Sequence, residues 1–292
     1  TVTDTIQNGA SLTVAYALDT SNPIEDANGN DMATISNARE ITVVNDTVAP
    51  TVLKVHAPAV LGSFDPAAIQ AIGDIIPIHV VFSEAVNVTG TPTLKLETGA
   101  TDADVDYTEL ATTNVANDTL VFEFTVGDGN AIHLSSDLAT NATSPLAAVG
   151  GIFDNAGTAA NRTLPSVGSG NALKDPATIV IDGSRPTVNV TTNDPSTSGA
   201  VANAGTKTIT LTTSETLTTP SSDTLTALAG DFDVKLNGNT KSIDNVSVSN
   251  TSIILTLDDY VPNEGSNTLT VAYELDTSNP IEDANGNDMA TI

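Results

Sequence analysis

Residues 12–35 read LTVAYALDTSNPIEDANGNDMATI, and residues 269–292 read LTVAYELDTSNPIEDANGNDMATI. The single difference in these 24 positions is Ala17 against Glu274, at a constant offset of 257 residues. Near-identity at a long fixed offset marks tandem duplication, so repeats set the frame for every other reading. The chain is expected to be a window from a longer repetitive protein, entering in one repeat and leaving in the next. Within each copy, an alternating apolar run (LTVAY) leads to an Asn-Gly turn, which is strand-and-turn chemistry rather than helix chemistry.

Working outward, two short segments read as joints: Val44–Val52 (VNDTVAPTV) and Ile181–Val188 (IDGSRPTV). Each ends one strand, turns through polar residues, and opens a new strand at Pro-Thr-Val, where proline is tolerated and stiffens the connection. They divide the chain into residues 1–46, the back part of one unit; 47–183, a full unit; and 184–292, a unit expected to lack its last strand. Short β-rich runs fill the units: Ile78–Phe82, Thr93–Leu96, Leu120–Val126 and Thr178–Ile181, then Thr208–Thr212, Phe232–Leu236, Val246–Val248, Ile253–Leu257 and Leu269–Tyr273. Helical patterning is confined to Pro66–Ile72. Frequent turns between short alternating strands predict an all-β sandwich architecture.

Composition narrows the function. Nine Lys and Arg against 36 Asp and Glu leave a net charge of −27. A nucleic-acid partner needs a basic face and is not expected. Such a charge suits an acidic surface in saline surroundings, either as a solubility device or as a cation-binding surface. No cysteine is present, which removes thiolate catalysis, disulfides and Cys-ligated metals. No apolar run is long enough for a membrane-spanning helix. His56, His79 and His133 lack metal-ligand spacing, and no nucleophile elbow, phosphate loop or HExxH occurs, so an enzyme is not expected.

Two motif series resemble known repeats. Phe82–Gly99 (FSEAVNVTGTPTLKLETG), followed by Gly127-Asp128, Phe153–Gly157 (FDNAG) and Ile179–Gly183 (IVIDG), resembles an Ig-like repeat of bacterial and archaeal surface proteins. Leu211–Glu215 (LTTSE), Asp231–Gly238 (DFDVKLNG), Val246–Asn250 (VSVSN) and Ser278–Asn287 (SNPIEDANGN) resemble the SWM-type Ig-like repeat. The resemblance implies tandem immunoglobulin-like β-sandwich domains arranged as extended beads on a string, in a large extracellular cell-surface protein. A structural S-layer protein fits, with copies of itself in a lattice or filament as partners. The stalk of a repetitive adhesin or motility-associated surface protein is the alternative. Alternation of two unequal domain types favours the lattice.

The repeated DANGND turn has two readings. Asn-Gly can simply close a hairpin at positive φ. Alternatively, oxygen ligands at alternate positions of a tight turn suit Ca2+. The candidate ligands are Asp26, Asn28 and Asp31, their repeat partners Asp283, Asn285 and Asp288, and Asp154 of the FDNAG turn. It is no EF-hand, since glycine stands at loop position 4. The resemblance adds that related repeats hold Ca2+ near such turns and domain joints. Glu84 and Glu215 occupy matching Ser-Glu positions, where they could cap a turn or bind an ion. Asp102, Asp104 and Asp106 read either as one acidic strand face or as a solvated loop.

Overall fold

A computed structural model describes residues 11–17, 21, 23–42, 46–60, 62–110, 117–127, 133–135, 137–140, 146–175, 178–189, 200–202, 205–218, 228–261, 268–275 and 280–292. Of the quoted stretches, residues 18–20, 22, 44, 45, 128 and 276–279 lie outside these residues. Among the described residues the extended elements are strands, joined mainly in antiparallel sheets. No described helix is long and apolar enough to cross a membrane.

β1 (Ser11–Tyr16) and β2 (Ile35–Thr42) form a two-stranded antiparallel sheet, with Leu12 opposite Ile41, Val14 opposite Arg39 and Tyr16 opposite Ile35. Asp26–Asn30 turns the chain between them.

The next elements are β3 (Val52–His56), β4 (Gln70–Ala71), β5 (Ile75–Phe82), β6 (Asn87–Glu97), β7 (Ala103–Leu110), β8 (Thr119–Thr125), β9 (Leu134–Ser135), β10 (Ala139–Thr140), β11 (Leu146–Phe153) and β12 (Ile181–Asp182). β3, β5, β8, β7 and β6 neighbour one another in that order, and β6 carries β10 and β11 on its far edge. The two-residue period of a strand explains the core. In β5, Ile76, Ile78, Val80 and Phe82 are buried while their neighbours are not. They join Leu94, Leu96, Leu120, Phe122, Phe124 and Ile181 in one apolar cluster. Pro77 is tolerated inside β5 because β3 pairs only with its far half, from His79 to Phe82.

Three local expectations change. Pro66–Ile72 forms no helix: the Asp65 carboxylate caps a turn through the Ala67 N–H (2.9 Å), and the Gln70 amide ties back to the Asp65 and Ala68 carbonyls. Such side-chain bonds compete with helix formation. The strand expected at Thr178–Ile181 is instead Ile181–Asp182, held between β4 and β9. Asp104 and Asp106 lie on β7, exposed on either side of buried Val105, so that run is a solvated strand face, with Lys95 3.0 Å from Asp104.

Beyond the second joint come β13 (Ala200–Ala202), β14 (Thr208–Thr212), β15 (Phe232–Leu236), β16 (Asn239–Lys241), β17 (Ile243–Ser249), β18 (Ser252–Leu257) and β19 (Leu269–Tyr273). They form a four-stranded sheet, β13-β14-β18-β17, and a three-stranded sheet, β16-β15-β19. Ile209, Leu211, Val246, Ile253 and Leu255 from the first meet Phe232, Val234 and Tyr273 from the second in a separate apolar cluster. The two clusters draw on residues 55–181 and 188–289, so the Arg185-Pro186 joint falls between two cores.

Candidate functional site: paired acidic joints

One turn is built three times, at Asp26–Asn30, Asp154–Thr158 and Asp283–Asn287. In each, the first Asp N–H donates to the carbonyl four residues on, at 2.9, 3.0 and 3.0 Å. Each Asp Oδ1 in turn accepts the N–H of that fifth residue, at 3.0, 2.7 and 3.0 Å. Gly29, Gly157 and Gly286 stand at φ of 82°, 88° and 91°, a region that excludes most side chains. The hairpin reading of the motif is therefore physical.

Two of the three turns meet a joint. At the first, a carboxylate oxygen from each of Asp46, Glu84 and Asp154 lies within 4.8 Å of the others; at the second, Asp182, Glu215 and Asp283 do the same. The scaffolding matches contact by contact. Asp46 caps the Val48 N–H (3.0 Å) and Asp182 caps the Ser184 N–H (3.1 Å). Ser83 Oγ accepts the Thr51 N–H, and Ser214 Oγ accepts the Thr187 N–H, both at 3.0 Å, fixing the glutamate that follows each serine. The side chain at the fifth turn position donates to the carbonyl of the linker aspartate: Thr158 to Asp46 (3.2 Å), Asn287 to Asp182 (3.1 Å).

Three carboxylates this close repel one another and lose hydration, both of which favour the protonated form. Glu215 is pushed up to about 7, first by burial, then by Asp283 and Asp182. Glu84 shifts the same way, through burial, then Asp46 and Asp154. Burial also acts to raise Asp154, but the Thr158 N–H and hydroxyl and the Ala156 and Gly157 N–H groups outweigh it and hold it low. Asp154 is only 4% exposed, and its Oδ2 has no hydrogen-bond partner among the described residues. A buried anionic oxygen without a donor, beside two more carboxylates, is the environment a hard cation satisfies. At the second joint the polar groups are better paired: Asn285 Nδ2 donates to Asp182 Oδ2 (2.7 Å), and Asn287 Nδ2 to Asp283 Oδ2 (2.9 Å).

The candidate ligands thus separate. Asp154 and Asp283 enter carboxylate clusters, and Asn285 touches one. Asp288 instead faces Arg185, 3.7 Å from Nη1. Asp26, Asn28 and Asp31 are exposed and join no carboxylate cluster among the described residues. Asp26 is held low by the Asn30 side chain and N–H and the Asn28 N–H, so its charge is satisfied within the turn. Asp46 and Asp182 were absent from the candidate set. Their signal was available: each lies four residues before the joint proline, Pro50 or Pro186. A scan against family models and a search of curated proteins give no match to this chain.

Proposed function

We propose that this chain is a structural stretch of an extracellular surface assembly of the S-layer kind, built from Ig-like units at 1–46, 47–183 and 184–292, whose joints are stiffened by Ca2+. The observation that carries the reading is the repetition of one carboxylate triad at both joints, with the buried Asp154 Oδ2 of the first lacking a hydrogen-bond partner among the described residues. Each triad takes one residue from the linker and two from the following unit, so a cation there would tie the linker to the unit it enters. Oxygen-only donors suit Ca2+ over softer metals. Asp46, Glu84 and Asp154 would hold one ion, and Asp182, Glu215 and Asp283 a second. The acidity of the chain supports the same reading: cations at the joints would offset repulsion that otherwise favours separation.

Titration calorimetry, with melting curves in Ca2+ and in chelator, tests it. Saturable Ca2+ heat and a melting temperature lowered by chelation are expected, together with ordered arrays in electron micrographs of Ca2+-loaded protein. No heat at millimolar Ca2+, and no change on chelation, would leave two acidic joints with a purely hydrogen-bonded role.

A further inference from the structure

The three Asp turns differ in the donors they carry. Their fifth residue is Asn30, Thr158 or Asn287, and their third is Asn28, Ala156 or Asn285. A carboxamide holds two N–H donors, a threonine hydroxyl one proton and an alanine side chain none. The hydrogen bonds follow that count. Asn30 Nδ2 donates to Asp26 Oδ2 at 3.0 Å, and Asn287 Nδ2 to Asp283 Oδ2 at 2.9 Å. Asn287 Nδ2 also reaches the linker, donating to the Asp182 carbonyl at 3.1 Å. Thr158 gives its hydroxyl proton to the linker, at the Asp46 carbonyl (3.2 Å). The oxygen equivalent to Asp283 Oδ2 is Asp154 Oδ2. It has no hydrogen-bond partner among the described residues, in a residue 4% exposed.

The second joint carries a further amide. Asn285 Nδ2 donates to Asp182 Oδ2 at 2.7 Å, whereas its counterpart Ala156 has no side-chain donor to offer Asp46. Two amides thus point partial positive charge at the Asp182, Glu215 and Asp283 cluster, where a cation would sit. Asn287 is also held in this orientation. Its Oδ1 accepts the Ile72 N–H at 2.8 Å, and a flipped amide would set donor against donor there. An ion entering this cluster therefore competes with two amides for Asp182 Oδ2 and Asp283 Oδ2. An ion entering the Asp46, Glu84 and Asp154 cluster meets a buried oxygen with no such competitor among the described residues.

We propose that the third and fifth turn residues set the order in which the joints take up Ca2+: the Ala156 and Thr158 joint fills first, and the Asn285 and Asn287 joint, closed by its own amides, fills at higher concentration. The inference rests on the reading of both triads as Ca2+ sites and adds their ranking. Displacing a hydrogen bond to a charged group weakens binding by roughly 10- to 100-fold, which sets the separation expected between the two Kd values. The second joint also keeps a tie that needs no ion, from Asn287 to Ile72 beside β4. At low Ca2+ it is the joint that stays fixed.

Ca2+ titration calorimetry on the full 292-residue chain, first stripped with chelator, tests the ranking. Two sites roughly 10- to 100-fold apart are expected, the tighter one removed by Asp154→Asn. Thr158→Asn gives the first joint the amide of the second and should weaken the tight site. Asn285→Ala frees Asp182 Oδ2 and should tighten the weak one. Melting curves in chelator check that each variant folds. Asn285→Asp, which exchanges the competing amide for a carboxylate, repeats the second test where Asn285→Ala does not fold. If wild type shows a single site, its loss in Asp154→Asn supports the ranking, and its loss in Glu215→Gln instead overturns it. Two sites of equal affinity, or affinities that neither substitution moves in its stated direction, overturn the ranking and leave both joints as Ca2+ sites. Absence of Ca2+ heat in wild type and every variant removes the underlying reading, and the ranking with it.

Discussion

Asn287 Oδ1 accepts the N–H of Ile72 at 2.8 Å, across 215 residues of sequence and from one apolar core's unit to the other's. The same side chain donates to the carbonyl of Asp182 and to Asp283 Oδ2, and it is 2% exposed. Asn287→Ala would strip three hydrogen bonds, two of them buried, and leave their partners unsatisfied. Chemical denaturation should register a loss of about 2–4 kcal/mol. Asn287→Thr, copying Thr158 of the first joint, should recover part of it.

Asp154→Asn removes the charge of the donor-less Oδ2. Calorimetry should show one Ca2+ site lost and the other kept. At free Ca2+ about 100-fold above Kd, one-site linkage amounts to about 2.7 kcal/mol, and the variant should forfeit that gain.

Glu215→Gln should have opposite effects in the two conditions. Without Ca2+ it relieves repulsion within the Asp182, Glu215 and Asp283 cluster, so the melting temperature in chelator should rise. With Ca2+ the stabilisation specific to the second joint should vanish. Glu84→Gln should do the same at the first joint.

His56 and His79 meet edge to face, ring centroids 5.5 Å apart, on paired strands β3 and β5. Burial, then Lys54 and His79, lowers His56 to about 4, and burial lowers His79. A histidine whose folded value is depressed contributes stability above its unfolded value near 6.5, and that contribution fades as pH falls toward the folded value. The melting temperature should therefore drop between pH 6.5 and 4, and His56→Gln should flatten the drop.

Gly150 has φ of 108°, and a Cβ there would stand 1.9 Å from the Thr89 carbonyl oxygen on β6. Gly150→Ala should cost several kcal/mol, since β6 and β11 would have to separate. Gly168, at φ of 87° with open space around it, serves as the control: Gly168→Ala should cost about 1 kcal/mol. Denaturant midpoints compare them directly.

Strand positions were legible where the two-residue period was clean. Thr208–Thr212, Phe232–Leu236 and Leu269–Tyr273 fall on the strands that form. Pro66–Ile72 misled because apolar spacing alone cannot see the Asp65 cap. The turn motif pointed to Asp154 and Asp283, but not to the carboxylates they meet. Asp46 and Glu84 reach Asp154 from 108 and 70 residues away in the chain. Local spacing carries no information about such a meeting; only the strand pairing supplies it.

The way the 47–183 segment is stitched at its ends has a mechanical consequence. Thr51, just past the entry, bridges Asn161 in parallel, and β12, at the exit, lies parallel to β4. Tension drawn along such a rung pair loads its hydrogen bonds together in shear, instead of peeling them open singly. Pulled from both ends, the segment should yield late and abruptly, a behaviour single-molecule force spectroscopy would record as one tall rupture peak.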